Sequence, residues 1–142
     1  TRNPWARAYS AYNFARLGAS MSDGAQIRQP YRYAISEFES FERFILEWLP
    51  ERDIDCEDYV FRPQTHFLLD KEDTIGVTHV GKIEEKQSYL PFLEKTLSRR
   101  VEIGHLNQTT KPEGYRAAYT PEMRDIVSRC YADDIARFNY DF

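Results

Sequence analysis

Trp5, Tyr9 and Tyr12 recur at i, i+4 and i+7, and Asn3, Arg7 and Ser10 recur at the same intervals on another stripe. That spacing places each set on one side of an α-helix, one side packing and the other polar. The helix is expected from Pro4 to about Leu17. Asn3 can cap it by accepting a backbone N–H bond, Pro4 at the first position gives up no needed donor, and Gly18 stands where a left-handed C-terminal cap is wanted. From Ala19 to about Tyr33 the residues turn small and polar, with Ser22-Asp23-Gly24 and Gln29-Pro30 as breakers, which predicts a long loop. Ser36 and Glu39 then stand at capping-box spacing ahead of Phe38, Phe41, Ile45 and Trp48, so a second helix is expected up to Leu49-Pro50.

Beyond that stop, Glu51 to Asp58 carries five acidic groups in eight positions and reads as a solvated turn rather than a metal site. Tyr59 to Leu69 contains Pro63 and is open between a short strand and irregular structure. Thr74 to Ile83, with Ile75, Val77, Val80 and Ile83, predicts the best strand of the chain. Glu84-Glu85 suit the first turn of a following helix to about Leu97, in which Pro91 must bend or restart the chain. Gly104 to Gly114 is a polar loop. Thr120 caps and Pro121 opens a terminal helix that turns Met123, Val127, Cys130 and Phe138 inward. Three or four helices and one or two strands make too little sheet for a self-sufficient α/β domain, so the remaining strands of such a sheet are expected before Thr1.

Composition narrows the function classes. Residues 1–142 fit one domain, and 42% hydrophobic with 15% aromatic residues suffices for a folded core. A net charge of −4 argues against nucleic acid as the partner, while leaving room for a local basic site. No apolar run approaches the length of a membrane span. Cys56 and Cys130 are too few for a disulfide scaffold and lack zinc spacing, Cys130 being expected to face the core. The scarcity of cysteine tilts the reading toward a reducing compartment such as the bacterial cytosol over a Golgi lumen.

Arg2, Pro4, Arg7, Ser10 and Tyr12 form the pattern R-x-P-x-x-R-x-x-S-x-Y at the start of the first helix. A strand-to-helix junction offers free backbone N–H groups and a positive dipole end to an anion. An arginine there adds a planar fork of donors, and a hydroxyl two turns along can reach the same phosphate. Arg2 and Ser10 would grip one phosphate from two sides. The alternative is an Arg2 paired with an acid and a Ser10 on the helix surface.

The run RNPWARAYSAY from Arg2 to Tyr12 resembles the 3′-phosphate-binding motif of sulfotransferases that use 3′-phosphoadenosine 5′-phosphosulfate, PAPS. Phe61-Arg62-Pro63-Gln64-Thr65 is similar to a Pro-Gln segment of the carbohydrate sulfotransferases of the membrane type and their bacterial relatives. Val80-Gly81-Lys82-Ile83-Glu84 resembles their G-R-F-E turn, with Lys82 and Ile83 in place of Arg and Phe. His105-Leu106-Asn107, Tyr119 to Glu122 and Asp134 to Phe142 resemble their closing region.

The resemblance implies an α/β fold, the C-terminal portion of a P-loop nucleotide-hydrolase-like three-layer sandwich with a parallel sheet. It implies metal-free transfer of a sulfuryl group from PAPS to an acceptor hydroxyl, on a carbohydrate. Arg2 and Ser10 would bind the 3′-phosphate, and Lys111, with Thr109 and Thr110 beside it, is a second candidate clamp on the donor phosphates, the alternative being a solvated loop lysine. The family's 5′-phosphosulfate loop and catalytic base precede the R-x-P segment, so residues 1–142 alone are expected not to catalyse transfer. The rivals are a nucleotide kinase-like phosphotransferase and a non-catalytic interaction domain. Of the histidines, His66 could approach the acceptor, His79 is expected to pack within the strand, and His105 opens the closing loop.

Overall fold

The computed structural model describes residues 1–17, 30–103 and 114–142. Helix α1 spans Pro4–Leu17, as its two stripes require. Asn3 caps it, its Oδ1 accepting from the N–H groups of Trp5 at 3.1 Å and Ala6 at 3.3 Å. The packing side carries Trp5 and Tyr12 together with Ala6, Ala8, Ala11 and Ala15, all buried. The alanines bring the backbone close to its neighbours, and the rings fill the space between.

The second helical region differs from the expected single helix. A 3₁₀ turn covers Ser36–Phe38, a short α segment α2 covers Phe41–Arg43, a π-helical stretch covers Phe44–Trp48, and another 3₁₀ turn covers Leu49–Glu51. The cap is Ser40, which accepts from the Arg43 N–H at 3.1 Å, while Ser36 donates to the side chain of Glu37 and Glu39 pairs with Arg43. The anticipated capping box is therefore not formed. The wider π turn lets five large side chains, Phe38, Phe41, Phe44, Ile45 and Trp48, all bury from one short stretch. Phe44 and Phe61 are both fully enclosed, and with Tyr12, Tyr33, Phe38 and Trp48 they form a mesh of rings whose centroids lie 5.0–6.2 Å apart. Those separations are typical of attractive tilted and edge-on pairs.

The acidic stretch after Pro50 forms turns, and its last two members bind back to the 32–33 segment. Glu57 is buried against Arg32 at 3.0 Å, and Asp58 accepts from the Tyr33 hydroxyl. Burial, and then Asp58, push the Tyr33 phenol well above its ordinary pKa.

The α/β three-layer sandwich with a parallel sheet is overturned. Among the described residues there is no sheet; the one β contact is an isolated antiparallel bridge between Leu69 and Ile75. The segment 74–83 turns out irregular, with Ile75, Val77 and Ile83 exposed by 41–51%. β-branched residues favour a strand only where a neighbour accepts the ladder bonds. Here the ladder bonds stop at that one bridge, Asp70 N–H to the Thr74 carbonyl and Gly76 N–H to the Leu68 carbonyl, and farther along Ile83 N–H pairs only with the Thr1 carbonyl. His79 is accordingly exposed and stacks on Phe92 at 4.4 Å instead of packing within a sheet.

Helix α3 spans Lys86–Leu97 with Pro91 inside it, and no residue of it is fully buried. The terminal region divides in two, α4 over Pro121–Cys130 and α5 over Ala132–Phe138, with a break at Tyr131. Thr120 caps α4 by accepting from the Met123 N–H. Met123, Val127 and Phe138 are buried as expected. Cys130 is only half-buried, and neither cysteine is in a disulfide. The break turns Tyr131 and Asp134 inward beside them. No helix among the described residues is long and apolar enough to cross a membrane.

Candidate functional site

The residues leading into α1 are fixed on all sides. Thr1 pairs with the 81–83 segment, its amino group donating to the Gly81 carbonyl and its carbonyl accepting from Ile83 N–H at 2.8 Å. The Arg2 N–H donates to Gln64 Oε1 at 2.7 Å, and Asn3 N–H to Glu84 Oε1 at 2.7 Å. The next donors, Trp5 and Ala6, are taken by the Asn3 cap. This corrects the expectation that the junction offers free backbone N–H groups: an anion here must be held by side chains.

Those side chains gather around one cavity of about 720 Å³, open to solvent. Arg2, Arg7 and Ser10, with Thr1 and Gln64, form its polar wall; Ala11, Phe14 and Val60 line it with apolar surface, and Tyr59, Phe67 and Ile83 complete it. Tyr59, Phe67 and Ile83 are each about half exposed, at 51–53%. Arg2 and Ser10, singled out from the sequence, thus stand on the same cavity.

Neither guanidinium of this wall has a carboxylate within ion-pair distance among the described residues. Among the described residues the Arg2 guanidinium makes no hydrogen bond and no ion pair within 4 Å; burial lowers its pKa, with Glu84 and Tyr115 acting in the opposite sense. Arg7 donates once, to the Tyr59 carbonyl at 3.2 Å, and its guanidinium lies 5.9 Å from the Tyr131 ring centre. Burial is also the main cause lowering the Arg7 pKa; Tyr131 and Asp134 oppose it, and the Arg2 charge adds to it. Two cations that are partly stripped of water and repel each other gain from any anion placed between them.

The other anticipated residues fall elsewhere. Lys111, with Thr109, Thr110 and His105, lies outside the described residues. His66 is exposed with Nδ1 3.7 Å from an Asp55 carboxylate oxygen, and it does not line the cavity. Phe61 serves the aromatic core and donates nothing to the site, while Arg62 Nε donates to the Glu57 carbonyl. Asp141 receives the Asn3 side-chain amide at 2.7 Å, Tyr140 shares a hydrogen bond with Thr1, and Phe142 meets Trp5 edge-on at 5.7 Å. The C-terminal tail thereby closes over the start of α1.

Three residues of the site escaped the sequence reading as functional candidates: Arg7, Gln64 and Asp134. Arg7 had a signal, since it shares the helix stripe of Ser10. Asp134 opens the Asp134–Phe142 resemblance but carried no signal of burial, because a carboxylate within the single terminal helix expected from Thr120 to Phe138 reads as an exposed group. Comparisons with protein-family models, with curated proteins and with solved structures find no match to this chain.

Proposed function

We propose that this protein binds PAPS, its 3′-phosphate held between Arg2, Arg7 and Ser10, and serves sulfuryl transfer to an acceptor hydroxyl on a carbohydrate. The observation that carries the reading is the pair of partly buried guanidinium groups, neither in an ion pair among the described residues, sharing a cavity with the Ser10 hydroxyl. A phosphate monoester supplies the negative charge and the several acceptor oxygens that such a wall lacks. The RNPWARAYSAY resemblance supplies the identity of the phosphate. The cavity's size lies within the range of small-molecule sites, and its apolar surface suits the nucleoside of the donor.

The residues have separable tasks. Arg2 and Arg7 neutralise and orient the 3′-phosphate, and Ser10 donates one hydrogen bond that fixes its rotation. Anchoring this end of the donor limits the freedom of the transferring group at the other end, which is how remote binding contributes to positioning.

The test is ligand preference of the 142-residue chain by titration calorimetry. Adenosine 3′,5′-bisphosphate is expected to bind at least about tenfold more tightly than adenosine 5′-monophosphate, since charged hydrogen bonds contribute about 1.5–3 kcal/mol. It should likewise exceed ADP and ATP. Equal or tighter binding of ADP or ATP would overturn the reading in favour of a phosphotransferase.

A further inference from the structure

The Arg2 backbone is held by an unusual partner. Gln64 offers its side-chain amide to both polar groups of that one residue, Oε1 accepting from the Arg2 N–H at 2.7 Å and Nε2 donating to the Arg2 carbonyl at 2.8 Å. The amide thus occupies the place a neighbouring strand would take in a ladder, at a point where no sheet is present among the described residues.

Gln64 is itself fixed from behind. Asp134, with no exposed surface, accepts from the Gln64 backbone N–H at 2.8 Å and from Gln64 Nε2 at 3.2 Å through Oδ2, and from the Thr65 N–H at 2.8 Å through Oδ1. Both N–H bonds of the Gln64 amide are therefore used, one toward Asp134 and one toward Arg2, so the amide has one orientation that satisfies all its partners. At the break between α4 and α5 the same loop is tied again: the buried Tyr131 hydroxyl donates to the Phe61 carbonyl at 2.8 Å. The chain of contact runs from α5 through Gln64 to the backbone of the residue whose guanidinium faces the cavity.

We infer that Gln64 and Asp134 are positioning residues that set the selectivity of this site for a 3′-phosphorylated nucleotide, by fixing the backbone from which Arg2 reaches the phosphate. The inference rests on the reading of the site as one for a 3′-phosphate. An arginine side chain has long rotatable reach, and its two-pronged match to phosphate survives only if its root is fixed. Asp134 does not line the cavity, and Gln64, which does, has its amide spent on Arg2 and Asp134, so neither need bond to the phosphate to decide whether Arg2 does.

The experiment compares the chain with its Gln64→Met and Asp134→Asn variants. Met keeps the volume of Gln64 and removes all three bonds of its amide; Asn keeps the shape of Asp134 but turns an acceptor into a donor facing N–H groups. Each protein is titrated with adenosine 3′,5′-bisphosphate and with adenosine 5′-monophosphate, and exchange of the Arg2 amide proton is followed by NMR. The expected result is that the preference for the bisphosphate falls about tenfold in both variants, about one hydrogen bond's contribution, with monophosphate affinity within about twofold and faster Arg2 exchange. A preference unchanged in the Gln64→Met variant overturns the inference while leaving the 3′-phosphate reading intact. Absence of any preference in the unaltered chain overturns that reading first. Parallel loss of both ligands, or a Gln64→Met chain that does not fold, assigns the amide to the core and also refutes its positioning role.

Discussion

Replacing Arg2 by methionine separates the function of this site from its stability. Arg2 is half-buried, and its guanidinium forms no hydrogen bond or ion pair among the described residues. Removing the charge therefore breaks no protein–protein bond, and it relieves both a desolvated cation and the repulsion it exerts on Arg7. Methionine retains most of the aliphatic stem that packs on the cavity wall. Folding stability is expected to change by less than about 1 kcal/mol, as for substitutions away from named structural features. Ligand affinity should respond differently. Loss of one or two charged hydrogen bonds to the phosphate, at about 1.5–3 kcal/mol each, weakens adenosine 3′,5′-bisphosphate binding by a factor of at least about ten to a hundred. Binding of adenosine 5′-monophosphate should barely move. Thermal melts and calorimetric titrations of the same preparations read both quantities. A melting temperature lowered by more than about 5 °C would show that Arg2 supports the fold, and equal losses for the two nucleotides would refute its assignment to the 3′-phosphate.

Two further perturbations address the scaffold. Phe44→Ala removes a fully buried ring that meets Tyr12, Phe38, Phe41, Trp48 and Phe61, and is expected to cost about 3–5 kcal/mol in denaturant unfolding; a cost below about 1 kcal/mol would mean the ring mesh is not the core. Alkaline pH is expected to destabilise the protein. Burial is the largest cause raising the phenol pKa values of Tyr33, Tyr119, Tyr131 and Tyr140 in the folded chain. The unfolded chain ionises them near pH 10 and the folded chain does not, so stability is full below pH 10 and falls above it. Melts at pH 8 and pH 11 with absorbance at the phenolate band check this, and simple titration of all ten tyrosines near pH 10 without unfolding would contradict it.

Local chemistry makes α1 legible in the sequence. Its bounds, its Asn3 cap and its two stripes follow from spacing alone, as do the Thr120 cap and the buried Met123 and Val127. What failed was non-local. The run from Thr74 to Ile83 has strand composition, yet it finds partners only at its two ends, against Leu68–Asp70 and against Thr1, and Ile75, Val77 and Ile83 stay exposed. The π stretch at Phe44–Trp48 was hidden for a related reason. Helical spacing at 3.6 residues per turn selects Phe41, Ile45 and Trp48, and the wider turn that also buries Phe44 leaves no separate mark in the pattern. At the site, Arg2 and Ser10 were readable because they share one helix entrance. Gln64 and Asp134 reach it from 62 residues away and from 70 residues beyond that, through bonds a linear pattern does not encode.

The same separations impose an order on folding. Ring contacts within 33–61 and the capped turn of α4 close short loops, whereas the cavity wall joins Arg2 to Gln64, Asn3 to Glu84, and Asn3 to Asp141 across 138 residues. Closing a long loop costs chain entropy before its contacts return anything, and contacts distant in sequence form slowly. During refolding the aromatic interior therefore assembles ahead of the anion site. With Trp5 replaced by phenylalanine, tryptophan emission from Trp48 would reach its native value while the ability to bind a phosphate ester is still developing. The interval between those two signals measures how long the chain exists as a packed but ligand-blind globule.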